Sequence, residues 1–113
     1  MSEPSPFLYL TTTGWKSGQP HEIEIWFVAL GERYYLVAEG REQAHWVQNI
    51  VYQPAITWQV GGQAFRGSGR LIDRAAEPTL AGQVAALMNA KYEWSDGLIV
   101  ELTPDGGLDR GSL

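Results

Sequence analysis

The alternation that begins at His21 and runs to Leu30 constrains the fold of this chain more than any other feature. Ile23, Ile25 and Phe27 fall on one side of an extended strand, with Glu22, Glu24 and Trp26 on the other. Gly31-Glu32 then offers a turn, and Arg33 to Ala38 returns with Tyr34, Tyr35, Leu36 and Val37. Two such runs joined by a short glycine-bearing turn read as a β-hairpin. The pattern repeats downstream: Ala55 to Val60, the two-residue turn Gly61-Gly62, then Gln63 to Ile72, where Gly67 and Gly69 suggest a bulge or a bend. Phe7 to Thr13, rich in β-branched and aromatic residues, reads as a further strand.

Between the hairpins the period changes. From Arg41, the spacing of Ala44, Val47 and Val51 with Trp46 and Ile50 predicts a helix ended by Gln53-Pro54. A second helix is predicted from about Ala76 to Tyr92, with Pro78 in its first turn and Leu80, Val84, Leu87 and Met88 as its buried stripe. Trp94 to Gly97 turns into a last strand, Leu98 to Leu102. The order βββ-α-ββ-α-β predicts an α+β, mainly β architecture. A split barrel of about six antiparallel strands with two helices suits it, because a small sheet must close or cover its edges. Residues 1–6 and 105–113 read as loose ends of one domain spanning 1–113.

Charge and composition exclude several functions. A formal net charge of −5 and a pI near 4.9 argue against nucleic acid or an anionic membrane as partner. The chain has no cysteine, which removes disulfides, thiolate catalysis and Cys-ligated metal centres. No apolar run is long enough to span a bilayer and no signal peptide is visible, so a cytoplasmic location is expected. A chain of 113 residues buries a modest share of its surface alone, which makes a homodimer a natural supplement.

Thr11-Thr12-Thr13-Gly14-Trp15-Lys16-Ser17-Gly18-Gln19-Pro20 links the first two strands. Glycines allow several N–H groups to converge on an anion, and Lys16 and Ser17 add an ammonium and a hydroxyl. The spacing matches neither a Walker loop nor a dinucleotide fingerprint, and a strand follows, so an anion held here would sit at a β-turn. His21, at the start of that strand, can donate to a phosphate or act as a proton donor, or simply pack at a strand end. Glu22 and Glu24 read as a solvated strand face that Trp26 shares. Arg66, Ser68 and Arg70 alternate on one face of their strand; such a basic stripe can grip an anionic tail, and pairing with Glu22 and Glu24 is the preferred expectation. His45 and Glu42 read as helix surface, since two ligands without a third make no metal site. Tyr92 and Trp94, beside a turn, can line a pocket or pack.

The loop resembles the Thr-Gly-Arg-Lys-Ser-Gly-Gln-Pro signature of the deazaflavin-dependent nitroreductase family, a branch of the split β-barrel flavoproteins typified by pyridoxamine phosphate oxidase. Trp46-Val47-Gln48-Asn49-Ile50 followed by Gln53-Pro54 is similar to the family's Trp-x-x-Asn-Leu…Asn-Pro. The resemblance implies an FMN-binding type of split barrel acting as an oxidoreductase. It would transfer hydride from reduced coenzyme F-420 to a small acceptor of quinone or nitroaromatic type; the alternatives are an FMN-binding oxidoreductase of the same fold and a non-catalytic protein that binds a flavin or another planar ligand. It implies a cofactor site of Thr13, Gly14, Trp15, Lys16, Ser17, Gly18, His21, Trp46 and Asn49, and an acceptor pocket of Trp26, Tyr92 and Trp94. Trp46 would wall the cofactor and Asn49 would offer it a polar contact. Trp15 and His21 stand where the family usually has arginines. No catalytic side chain and no metal are expected, because the cofactor carries the chemistry.

Overall fold

The computed structural model describes residues 6–105. Seven strands form one antiparallel sheet: β1 (Leu8–Thr13), β2 (Pro20–Ile25), β3 (Phe27–Leu30), β4 (Arg33–Ala38), β5 (Ala55–Val60), β6 (Gln63–Ile72) and β7 (Leu98–Pro104). A 3-10 turn at Arg41–Gln43 leads into helix α1 (His45–Tyr52), and α2 (Pro78–Tyr92) precedes β7. The strand order is β2-β1-β5-β6-β7-β4-β3.

That order decides the shape. β2 and β3 lie at opposite edges of the sheet, yet Trp26 alone separates them in sequence. The Cα atoms of Ile25 and Phe27 are therefore no more than about 7 Å apart. A seven-stranded sheet can satisfy that only by curling until its edges meet at one corner, which is the split barrel. The predicted single strand from His21 to Leu30 is thus two strands broken at Trp26, and the count is seven where about six were expected.

Two cores follow from strand alternation. Leu8, Leu10, Leu36, Ala38, Ile56, Trp58, Val100 and Leu102 point into the barrel, where Val47 and Ile50 of α1 join them. Tyr35, Val37, Ile72 and Ile99 point outward and are covered by Ala81, Val84 and Met88 of α2. Val51 and Leu87, expected on the buried stripes, are exposed, and Ala81 takes a core place instead. Gly69 is what lets α1 seat: a Cβ there would lie 3.1–3.3 Å from the side chains of Ile50 and Ile56.

The expected pairing of Arg66 and Arg70 with Glu22 and Glu24 does not form. Strands β5 and β1 lie between β6 and β2. Arg70 instead bonds Glu77 at 2.7 Å and the buried Glu101 at 3.1 Å. The Tyr35 hydroxyl donates to Glu101 at 2.8 Å, and burial together with that bond pushes the Tyr35 phenol up to about 12.

Candidate functional site

The β1–β2 connector is built around two buried polar residues. Along β1 the inward positions are Leu8, Leu10 and Thr12, so the third inward residue brings a hydroxyl into the core. On α1 the buried residues are Val47, Asn49 and Ile50. The two polar intruders satisfy each other: Asn49 Nδ2 donates to Thr12 Oγ1 at 3.0 Å, and both residues are at most 6% exposed. Asn49 Oδ1 accepts from the Trp15 amide at 3.1 Å, which ties the loop to the helix. Each end of the carboxamide is thereby engaged once, so Asn49 anchors the loop while still lining the cleft.

Within the loop, the Gly14 amide donates to Gln19 O and the Gly18 amide to Gly14 O, each at 2.8 Å. The Gln19 amide donates to Ser17 Oγ at 3.1 Å. Gly18 has φ +71°, a conformation that favours glycine. Among the described residues, the amides of Lys16 and Ser17 donate to no protein acceptor. The pro-L face of Gly14 explains why that position is bare. A Cβ there would lie 2.6 Å from Ser17 Oγ and 2.8 Å from His21 Nε2, so a hydroxyl and an imidazole converge over one backbone atom.

These groups border a cleft of about 700 Å³ lined by Gly14, Trp15, Lys16, Ser17, His21, Trp46 and Asn49, with Glu22, Ile23, Gln43, His45 and Gln48. Of the nine residues named as cofactor contacts from the sequence, these first seven come together; Thr13 and Gly18 stand outside the lining. Lys16 is the single lysine or arginine of the lining. Arg41 is paired with Asp96 at 2.7 Å. Trp15 leans away along α1, its ring stacked on Tyr52 at 4.6 Å and 17°, with Lys16 Nζ 4.9 Å from its centroid. His45, read from the sequence as helix surface, also faces this cleft. Its helix follows Ala44, which supplies no side-chain cap.

Trp46 is shared with a second cleft of about 550 Å³, lined by Phe7, Glu24, Ile25, Trp26, Val37, Ala38, Glu39, Gly40, Trp46 and Trp94. Two of the three expected pocket aromatics, Trp26 and Trp94, line it, with rings 6.1 Å apart in an edge-on arrangement. Tyr92 does not. It stacks behind Trp26 at 4.4 Å and 5°, while its hydroxyl takes the Phe27 amide at 3.1 Å and lies 3.0 Å from the Phe27 carbonyl. Lys91 Nζ donates to the same carbonyl at 2.9 Å. Burial pushes the Lys91 ammonium below the ordinary lysine range. Phe7, Glu24 and Glu39 were not foreseen as lining. Glu24, on the strand face read as solvated, accepts from Tyr9 at 3.0 Å. Among the described residues, no group of three metal-ligating side chains occurs, and no helix is long and apolar enough to cross a membrane.

A curled antiparallel sheet with an amide-bearing loop beside an indole-walled cleft defines a split-barrel protein. The chain belongs to the family of F420H(2)-dependent quinone reductases, whose model matches residues 2–97. Its cofactor is accordingly reduced coenzyme F-420 and its general activity that of a reductase on a small molecule, in agreement with the resemblance. No curated protein is significantly similar in sequence. Solved structures agree on the fold. HutZ, the heme storage protein from Vibrio cholerae, superposes with a TM-score of 0.72 at 20% identity, over 89% of this chain and 82% of that one. An F420-H2 dependent reductase, FDR-A, gives a TM-score of 0.60 at 22% identity over 86% and 93%. A putative pyridoxamine 5'-phosphate oxidase from Listeria innocua gives 0.65 at 14% over 88% and 84%.

Proposed function

We propose that this protein is a cytoplasmic reductase that holds coenzyme F-420 in the loop cleft and delivers its hydride to a quinone or nitroaromatic acceptor in the adjoining cleft. When bound, the reduced cofactor supplies two electrons and one hydrogen as hydride, and the acceptor takes its balancing proton from solvent. The chain supplies binding and shape. The free amides of Lys16 and Ser17, the Ser17 hydroxyl, His21 Nε2 and the Lys16 ammonium suit a phosphoryl group. The Trp46 indole, shared by both clefts, offers a wall on which a deazaflavin ring and an acceptor would face each other. The observation that carries this reading is the convergence of unpaired donors on the rim of the same cleft that Trp46 walls. A homodimer belongs to the same reading, supported by the exposed surface of Trp15, Val51 and Tyr52 beside the loop.

Fluorescence titration of oxidised F-420 with the pure protein tests it. Saturable quenching is expected, and Lys16→Ala should weaken affinity about tenfold, the loss of one charge-assisted contact. FMN has one phosphate and no polyglutamate, so it asks less of a cleft with a single lysine. Tight FMN binding with no response to F-420 would replace the reading by an FMN enzyme of the same fold. Sedimentation in the same buffer reads the oligomeric state.

A further inference from the structure

We infer that the cleft between Trp26, Trp46 and Trp94 is charge-selective: it takes planar acceptors that carry no negative charge, prefers cationic ones, and refuses anionic ones. The inference rests on the acceptor site proposed above and specifies its substrate class. Three indoles line this cleft, enough aromatic surface to grip a flat ring. Among the described residues, its charged lining consists of Glu24 and Glu39, with no lysine or arginine. The nearby guanidinium of Arg41 is already bonded to Asp96. Glu24 receives one hydrogen bond from a neutral phenol, that of Tyr9, so its charge is not cancelled. Aromatic faces attract cations as well, so indoles and carboxylates act with the same sign.

The contrast with the first cleft sharpens the point. Across Trp46, the loop cleft combines Lys16, His21, His45 and free amides against one carboxylate, Glu22. The two sides of one indole wall therefore differ in charge: the loop cleft sets one lysine against one glutamate and adds neutral donors, whereas an anion that strays into the second cleft meets two carboxylates. Consider a ring held about 7 Å from each carboxylate, within one Debye length at physiological salt. At that distance in water, a cationic and an anionic acceptor of equal shape should differ about 50-fold in affinity at low salt and about fivefold at physiological ionic strength.

The test uses the protein without added cofactor and three matched probes: a neutral 1,4-naphthoquinone, its sulfonate and its trimethylammonium derivative. Quenching of tryptophan fluorescence reads binding. The expected order is cationic, neutral, then sulfonate, compressing as salt rises. In Glu24→Gln/Glu39→Gln the ratio between cationic and sulfonated probes should collapse to within about threefold. Glu32→Gln/Asp105→Asn removes the same two charges away from the cleft and should preserve the ratio. Equal or tighter sulfonate binding, no binding of any probe, or a ratio that survives the first double variant would each overturn the inference. A ratio lost equally in both double variants would assign the effect to net charge and overturn it too. Titration with F-420 on the same samples stands apart, so failure of the cofactor reading would be recognised separately.

Discussion

Removing the carboxamide of Asn49 tests whether the loop is held by the helix. In Asn49→Ala, the Thr12 hydroxyl, 1% exposed, loses its donor, and the Trp15 amide loses its acceptor. The first loss strands a buried polar group and costs about 1–2 kcal/mol; the second is nearer solvent and costs about 0.5–1 kcal/mol. A total of about 1.5–3 kcal/mol corresponds to a fall of roughly 6–20 °C in Tm for a chain of this size. Urea unfolding followed by tryptophan fluorescence measures it, and the m-value should not change.

A second substitution makes the reasoning refutable. Thr12→Val removes the other partner of the same hydrogen bond and alone should cost about 1–2 kcal/mol. In the Asn49→Ala background it should cost almost nothing, because no donor remains to be stranded. The cycle should therefore show a coupling of at least about 1 kcal/mol. The two single variants should also separate stability from binding. Asn49→Ala frees the Trp15 amide and should weaken F-420 affinity, whereas Thr12→Val leaves that tie in place and should lower stability with little effect on affinity. Additivity within about 0.5 kcal/mol, or equal affinity losses in both, would show that the buried pair does not position the loop.

Other substitutions probe separate parts of the molecule. Gly14→Ala would drive Ser17 Oγ and His21 Nε2 off their shared position, so F-420 titration should show at least a fivefold loss while Tm moves by only a few degrees. Gly69→Ala would press a methyl against Ile50 and Ile56 and should cost about 1–3 kcal/mol in urea unfolding. The raised Tyr35 phenol contributes stability that is whole below pH 10 and is lost as pH rises toward about 12, on the order of 2–3 kcal/mol. Stability curves of wild type and Tyr35→Phe should therefore converge over that window, and parallel curves would contradict the assignment. Tyr92→Phe removes a hydroxyl from both the Phe27 amide and carbonyl; it should cost about 1–2 kcal/mol and speed hydrogen exchange at the Phe27 amide.

Local chemistry was legible in the sequence wherever it was decided locally. Gly31 and the Gly61-Gly62 pair do turn their hairpins, with φ between +57° and +83°. Pro54 does follow the end of α1, and Pro78 does open α2. The break at Trp26 was illegible because the alternation of Ile23, Ile25 and Phe27 passes through it unbroken; what separates β2 from β3 is that they join opposite edges of the sheet. Ion-pair partners were illegible for the same reason. Arg70 finds Glu101 only because β7, thirty residues on in sequence, is the neighbour of β6. Asn49 left a clue: an asparagine between Val47 and Ile50 on the inner face of a helix must find partners, and an inward Thr12 on β1 was available. The role of Glu39 in lining a cleft left no local trace.

Closure of the barrel and construction of the proposed acceptor cleft are one physical event. The single residue that joins the two sheet edges is Trp26, and it lines the cleft. Its ring is backed by Tyr92, whose hydroxyl holds the backbone of Phe27, the next residue, while Lys91 secures the same carbonyl and lies 3.7 Å from the Phe27 ring. Helix α2 thus clamps the corner at which β2 hands over to β3. The loop cleft depends on none of these contacts: its anchor is Asn49 on α1, and its donors come from the β1–β2 connector. One helix therefore fixes the proposed cofactor side and the other fixes the proposed acceptor side, with Trp46 of α1 reaching between them. A two-substrate reductase needs its sites adjacent yet able to differ in charge and shape. Independent supports for two clefts that share one indole wall meet that need within the described residues.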